Sequence, residues 1–362
     1  MRLSPFGKKS YVGLDLGHHS IKAVQIDRSG SGWRITKRDE VPTPPDSIKD
    51  GVIVGPDPIV EAMRHLLKAS HIHATSAVIS VAGGSVVVRN VRIPKMPEAT
   101  LRRSIKFEAG RYVPTSVDDS YIEFEIVGYP EPGQMDVLIV AAPKDIVESR
   151  IRVCSAAGLE VEIVDIEPFA VYRSLVETDP SAHYSDQTIA LVDIGANTTS
   201  VSVVSAGQFS MTRSIPQGGR TFTDALKGYF KLNEEDAEAG KRQLDLRELL
   251  LEEKPAENPP LRVLQPHIDE LIREIRRSLN YYQSQQTEQG QPNPVTTVVL
   301  SGGGARMPGL DEYMAKKLNL EVRTVGILDN PRFSYGGTDD PGTGLELSVA
   351  SGLALRAYPR VA

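Results

Sequence analysis

Cysteine is nearly absent: a single residue, Cys154, stands in 362. One thiol can form neither an internal disulfide nor a Cys-rich zinc site, and such scarcity suits a reducing compartment. Inside a helix predicted over residues 144–157, it reads as buried apolar filler rather than a reactive group. No run of about 18 apolar residues occurs, so no membrane-spanning helix is expected. The opening MRLSPFGKKS has no apolar core of the kind a signal peptide needs, and a cytoplasmic location is the expectation. Positive charge is also short, with 41 Lys and Arg against 47 Asp and Glu, so nucleic acid is not an expected partner. The small basic excess at Arg2, Lys8 and Lys9 reads as a solvated tail, with contact to anionic lipid or a partner as the alternative. No phosphate-binding G-x-x-x-x-G-K-(S/T) loop is present. His65, His71 and His73 run from a helix into a loop without Cys or an HExxH context, which argues against a metal there.

At 362 residues the chain suits two lobes, on a rough expectation of about 100–200 residues per domain. Apolar, β-branched runs bounded by Gly or polar residues predict strands over 10–16, 21–27, 77–82, 86–93, 121–127, 136–141, 159–164, 188–194, 200–205 and 296–300. Asp57 followed by Pro58 reads as an N-cap and first helical turn, after which Ile59, Val60, Met63, Leu66 and Leu67 share one face. The longest helix is expected over 266–286, with a stripe of Ile268, Leu271, Ile272, Ile275, Leu279 and Tyr282. Strands alternating with helices indicate an α/β protein. Residues 41–55 and 248–260, rich in proline, are expected as an extended connection and a surface loop.

The sequence repeats itself once. Residues 12–26 read VGLDLGHHSIKAVQI and residues 191–205 read LVDIGANTTSVSVVS, each a strand, then Asp-x-Gly, then a strand. A glycine turn between strands presents backbone N–H groups and lets a phosphate approach the main chain closely. Hydroxyls at Ser20, Thr198 and Thr199 add donors. Lys22 either supplies positive charge or, on its strand, points away. Asp15 and Asp193, at strand ends, are placed to hold Mg²⁺, which takes one or two carboxylates plus substrate phosphates. Ordinary hairpins whose aspartates satisfy turn amides are the alternative. A third element, VVLSGGGARMPGL at 298–310, brings Gly302, Gly303 and Gly304 after a strand, but Met307 breaks a dinucleotide fingerprint.

Two phosphate hairpins followed by a glycine loop, in this order, resemble the superfamily of actin, sugar kinases and heat-shock chaperones. Small-residue helices at 166–175 (IEPFAVYRSL) and 345–355 (LELSVASGLAL) match its connecting helices. Within it, the short basic lead before GLDLGHHSIKAV, the IKDGVI at 48–53, the RNVRIPKMPEATLRRSIKFEAGRYVP at 89–114 and IEPFAVYRSL resemble the type IV pilus assembly protein PilM family. The resemblance implies a two-lobed actin-like, ribonuclease H-like duplicated α/β fold with a small inserted α+β subdomain of the FtsA kind. Its implied parts are residues 1–87 for the start of the first lobe, 88–166 for the insertion and 167–187 for a connecting helix. Residues 188–345 would form the second lobe, with a nucleotide-side subdomain at 219–295, and 346–362 the final helix and tail.

The resemblance further implies ATP or ADP with Mg²⁺ as cofactor. Asp15 and Asp193 match the Mg²⁺-facing aspartates, with Gly17, Ser20, Lys22, Gly195, Asn197 and Thr198 in the phosphate hairpins. Gly302 and Gly303 match the adenosine loop, and Gly219, Thr223, Glu238 and Lys241 the surroundings of ribose and adenine. Glu167 matches the residue that positions water in hydrolysing relatives, or else is a helix N-terminal carboxylate favoured by the dipole. His18 and His19 stand where small polar residues are usual, either altering phosphate contact or merely facing solvent. The implied partner is the short cytoplasmic N-terminal segment of a bitopic inner-membrane pilus protein (PilN-like), bound in a nucleotide-sensitive manner. Arg102, Arg103 and Ile105, with Phe107, Arg111 and Val113, are its candidate lining. Turnover is expected to be slow at most, the location peripheral to the inner membrane through that partner, and self-association remains open. A sugar-type kinase using Asp165 or Glu167 as base, and an FtsA-like polymer, are the competing readings; the tail at 353–362 lacks a basic amphipathic anchor.

Overall fold

The computed structural model describes residues 10–113, 116–179, 184, 187–251, 258–288, 293–337 and 344–358. Arg2, Lys8, Lys9 and the end of the tail lie outside the described residues, as do residues 252–257 of the expected acidic loop.

The sequence repeat is a repeat of topology. In one sheet, Tyr11–Leu16 pairs antiparallel with Ser20–Ser29 and parallel with Ser76–Val81. In the other, Thr188–Ile194 pairs antiparallel with Thr199–Ser205 and parallel with Thr297–Ser301. Each Asp-x-Gly turn thus closes a hairpin at the end of a central, buried strand. Both hairpins continue into a third antiparallel strand, Gly32–Pro42 in the first sheet and Gln208–Ile215 in the second. The first sheet is completed by Glu160–Ile166 at one edge and Phe333–Tyr335 at the other, the second by Glu321–Thr324. A separate three-stranded sheet of Val87–Pro94, Gln134–Pro143 and Ser120–Gly128 carries helix Glu98–Ala109 on one face.

This is the expected α/β, two-lobed actin-like fold. Two helices lie between the lobes. Glu167–Tyr172 and Ser348–Arg356 share a core with residues of both sheets, among them Val78, Leu191, Val204 and Val299. Small residues make their crossing possible. A Cβ on Gly352 would stand 1.9 Å from the Ala170 carbonyl oxygen, and one on Gly13 2.1 Å from that of Ala350. Helix Pro56–Ala69 covers the outer face of the first sheet with Ile59, Val60, Met63 and Leu66, a spacing that puts all four on one side.

Several boundaries differ from the sequence reading. Helix Lys144–Ala156 buries Val153 and Cys154 in the first lobe's core, and Glu160–Ile166 is a strand of its sheet. The insertion expected over 88–166 therefore forms its own sheet only to Pro143. Phe333–Tyr335, expected in the second lobe, pairs with the first-lobe strand Gly32–Pro42. The long helix runs over Pro259–Glu288 and contains Pro266 rather than starting there. Buried Leu261 and Leu264 anchor the turns before the proline, and Asn258 accepts the Leu261 amide at its start. Helix Pro56–Ala69 begins one residue before the expected cap, with Gly55 at the N-cap and Asp57 in the first turn. The segment 41–55 ends a long strand and then forms a two-residue-strand hairpin, Ile48–Lys49 with Val52–Ile53, rather than a plain extended connection.

Candidate functional site

The two Asp-x-Gly turns face one cleft between the lobes. From the first hairpin it is lined by Asp15, Gly17, Ser20 and Lys22, and from the second by Asp193, Gly195, Asn197 and Thr198. Gly302 and Gly303 enter after strand Thr297–Ser301, Gly219 and Thr223 from helix Gly219–Phe230, and Glu238 and Lys241 from helix Glu234–Gln243. Glu167, first residue of its helix, lines the cleft as well. His18, His19, Glu40, Arg220, Arg242, Arg306 and Glu346 also line it and were missed as site residues, apart from the two histidines. Glu40 was invisible because its strand was not read. Arg220 had a signal in standing directly after Gly219.

The hairpin turns are held by backbone contacts that leave no room for side chains. The Gly195 amide donates to the Thr198 carbonyl at 2.9 Å, and a Cβ on Gly195 would meet that oxygen at 3.0 Å. The Gly195 and Ala196 carbonyls in turn accept the first amides of helix Gly219–Phe230 at 2.9 and 2.8 Å. Arg220 ties the same turn by donating Nε to Asn197 Oδ1 at 3.1 Å. Gly302 adopts φ +87°, and a Cβ there would stand 2.5 Å from the Ile194 carbonyl oxygen, so this turn closes only with glycine. Gly303 faces open space.

Lys22 points into the cleft, the first of the two alternatives. Its Nζ donates to Asp15 Oδ2 at 3.2 Å. Burial alone would lower the ammonium pKa, but Asp15, with Glu40 and Asp193 behind it, outweighs burial and raises it. Ser20 donates to Glu40 at 3.1 Å and Thr199, fully buried, to the Gln217 carbonyl at 2.8 Å. Thr199 is therefore not a cleft donor. Glu238 accepts from Thr223 at 2.7 Å, from Lys241 and from Arg242 at 3.1 Å. Lys241 also donates to the Gly219 carbonyl at 3.2 Å and to Thr223 Oγ1 at 2.9 Å, which spends all three of its N–H groups. Its ammonium fixes the wall of the cleft rather than reaching into it.

The acidic end is strained electrostatically. Burial, then Asp15 and Asp193, pushes the Glu167 carboxyl up to about 8. Burial, then Asp15, raises Asp193 to about 6. Carboxylates crowded this way are what a cation would relieve. Among the described residues no group of three or more His, Cys, Asp or Glu could hold a metal ion unaided. Asp15 and Asp193, in a cleft lined by both acids and bases, suit Mg²⁺, which keeps waters and shares its coordination with phosphates. His18 and His19 both have lowered pKa values, burial being the largest cause in each. For His18, Arg150 and then Arg220 add to the effect, so it is not a plain solvent-facing turn residue.

A profile of the family described as type IV pilus assembly protein PilM matches residues 13–358. The chain belongs to that family. The cell-division proteins FtsA of Bacillus subtilis and of Streptococcus pneumoniae are 22% and 21% identical to it, covering 90% of this chain and 81% and 78% of their own lengths. Among solved structures, a PilM–PilN type IV pilus biogenesis complex superposes with TM-score 0.82 at 24% identity, covering 96% of this chain and 98% of that one. EutJ of Carboxydothermus hydrogenoformans follows at TM-score 0.54 and 19% identity, covering 97% and 91%. MreB5 of Spiroplasma citri bound to ADP gives 0.52 at 14%, covering 95% and 94%. The superpositions establish the shared fold.

The partner candidates lie elsewhere, on helix Glu98–Ala109. Ile105 is 6% exposed in the core of the small sheet with Val91, Leu101 and Ile139, so its side chain is not free to line a groove. Arg102 pairs with Glu98 at 3.0 Å and covers the Phe124 ring. Arg103 is exposed. The apolar side chain this helix presents outward is Phe107, 71% exposed with Arg111 over its ring. Among the described residues, no helix is long and apolar enough to cross a membrane.

Proposed function

We propose that the cleft binds ATP or ADP with Mg²⁺ and that occupancy sets the affinity of this pilus-assembly protein for a membrane partner. The convergence of two duplicated hairpins on one cavity, with Asp15 and Asp193 among its acids and Lys22 among its bases, is the observation that carries this reading. Backbone amides of the two turns, Lys22, and the Ser20 and Thr198 hydroxyls would hold the phosphates. Ser20 must turn from Glu40 to do so. Asp15 and Asp193 would hold the metal, which when bound neutralises phosphate and carboxylate charge together. Gly303, with open space beside it, leaves room for adenosine after the tight turn at Gly302, and the Glu238 carboxylate, already fixed by Lys241 and Arg242, is placed for a ribose hydroxyl.

Hydrolysis is expected to be slow or absent. Burial, then Asp15 and Asp193, pushes the Glu167 carboxyl up to about 8, which makes it a poor acceptor for a proton from water unless a cation relieves those neighbours. A switch needs only different affinities for two lobe arrangements. The partner we propose is the short cytoplasmic N-terminal segment of a PilN-like inner-membrane protein, docking near the inserted sheet and keeping the protein beside the membrane. The solved relative that is itself a PilM–PilN complex supports this. Arg102 and Arg103 remain the candidate contacts, with Phe107 in place of Ile105.

The test is a fluorescent peptide of that segment titrated with and without Mg·ATP. Coupling of about 5-fold or more in Kd is expected. Equal affinities in both conditions would refute the nucleotide-sensitive part.

A further inference from the structure

The antiparallel ribbon of strands Thr199–Ser205 and Gln208–Ile215 touches the cleft at one end and the inserted sheet at the other. At the cleft end, Thr198 of the second phosphate turn leads directly into the first strand. The Thr199 hydroxyl donates to the Gln217 carbonyl at 2.8 Å, just past the second strand. Gly219, which also lines the cleft, donates its amide to the Gly195 carbonyl at 2.9 Å. Both strands are thus tied to one wall of the cleft. They stay paired from Thr199 opposite Ile215 to Ser205 opposite Gln208, with one irregularity at Val203 and Val204. Seven residues of the first strand span roughly 20 Å.

At the far end, Ala206 and Gly207 turn the chain at φ +47° and +74°. Gln208 Nε2 then donates to the Val127 carbonyl of the inserted sheet at 3.2 Å. Val127 stands at a break in register, between Ile126 and Gly128. The Tyr172 hydroxyl donates to the Gly207 carbonyl at 3.3 Å. The Phe209 ring lies 4.6 Å from that of Phe169 and 5.3 Å from that of Tyr172, centroid to centroid. Phe209 therefore packs on two cores at once, that of the connecting helices and that beneath the inserted sheet with Val127, Leu138 and Val140. Phe169 and Tyr172 stand on the helix that opens with Glu167 in the cleft wall. Along the ribbon's flank, a small cavity separates Ser200, Thr212 and Ser214 from Val86 and Val88. The flank has room to shift while the tip is gripped.

We infer that this ribbon is the lever by which occupancy of the cleft acts on the inserted sheet, with Phe209 as its positioning residue and Val127 as its point of contact. The inference rests on the nucleotide reading above and supplies its route. A phosphate held by the 195–198 turn orients the backbone that runs straight into the ribbon. Ladder hydrogen bonds would have to break for the paired strands to absorb that movement, so it reaches the tip. There it bears on the Gln208 bond to Val127 and on the seat of Phe209. Linkage makes the effect reciprocal: whatever shifts the inserted sheet changes nucleotide affinity by the same factor.

Hydrogen exchange over residues 120–128, measured with and without saturating Mg·ADP, tests this in wild type, Phe209→Ala and Phe209→Leu. Calorimetry on the same samples gives Mg·ADP affinity. Strand Glu321–Thr324, at the far edge of the second sheet, is the reference for general stabilisation by ligand. In wild type the exchange rate over 120–128 is expected to change about 5-fold more than the reference, the lower end of ordinary coupling. Phe209→Ala should lose that excess while Mg·ADP affinity stays within about 3-fold, and Phe209→Leu, which still fills the seat, should keep part of it. An undiminished excess in Phe209→Ala, or none in a wild type that binds Mg·ADP, overturns the inference alone. A wild type that does not bind Mg·ADP overturns the nucleotide reading and the inference with it. Should Phe209→Ala not fold, Gln208→Ala removes the exposed hydrogen bond to Val127 and leaves the core intact; a weakened excess supports the lever and a full one refutes it.

Discussion

Gly352→Ala should be the most damaging single methyl addition among the helical glycines. The new Cβ would lie 1.9 Å from the Ala170 carbonyl oxygen and 2.5 Å from its carbon, both backbone atoms that no rotamer change can move. The two connecting helices must separate, and overpacking of this kind costs about 1–3 kcal/mol. Separation also stretches the bond from Arg173 Nη1 to the Gly352 carbonyl, now 2.9 Å. A hydrogen bond to a charged group is worth roughly 1.5–3 kcal/mol. Alanine returns roughly 0.5–1 kcal/mol through helix propensity. The net loss is about 3 kcal/mol, a fall in Tm of roughly 6–12 °C at the sensitivity of larger domains. Thermal unfolding by circular dichroism reads it directly. Gly228→Ala is the control, because Gly228 sits inside helix Gly219–Phe230 with nothing within 4 Å of an added Cβ. That change should be neutral or stabilising by roughly 0.5–1 kcal/mol. Equal effects at the two positions would refute the close-crossing argument.

Burial alone would raise the Glu238 carboxyl, but Lys241, Thr223 and Arg242 outweigh it and hold it down to about 2. A folded pKa below the unfolded value of about 4.3 gives stability that is present above pH ~4.3 and lost as pH falls towards 2. Wild type should therefore exceed Glu238→Gln in urea midpoint at pH 7, with the gap closing between pH ~4.3 and ~2; a gap independent of pH would contradict the assignment. Cys154 is buried and its thiol is pushed up to about 12, chiefly by burial. A thiol reagent at pH 8 should leave it unmodified in the native protein and label it only on unfolding, and rapid native labelling would show that the first-lobe core is open there.

The site was legible because its chemistry is local in sequence. Each Asp-x-Gly turn announces itself through two apolar strands and a glycine that only a tight turn requires, and the repeat told that the two belong together. Gly302 and Gly303, after the strand at 297–301, followed for the same reason. Partners made across long sequence distances were not legible. Strand Gly32–Pro42 carries the polar run Thr36 to Glu40, so no continuous apolar run marked it, yet its Glu40 receives the Ser20 hydroxyl. Arg150 stands in a helix whose pattern is ordinary, and only the fold brings it against the Gly51 carbonyl. Pro266 misled because its effect is local, whereas Leu261 and Leu264, packed in the second lobe's core, decide where that helix begins. Ile105 misled in the opposite sense: its helical position suited a groove, but the small sheet needed it first.

The central claim is that the paired hairpins form one nucleotide site. Calorimetric titration of Mg·ATP into wild type, Asp15→Ala and Asp193→Ala tests it most directly, with circular dichroism confirming that all three are folded. The account predicts one site in wild type and a loss of at least about tenfold in Kd, roughly 1.4 kcal/mol, in each variant. Equal affinity in all three proteins, or no binding by folded wild type, would contradict it.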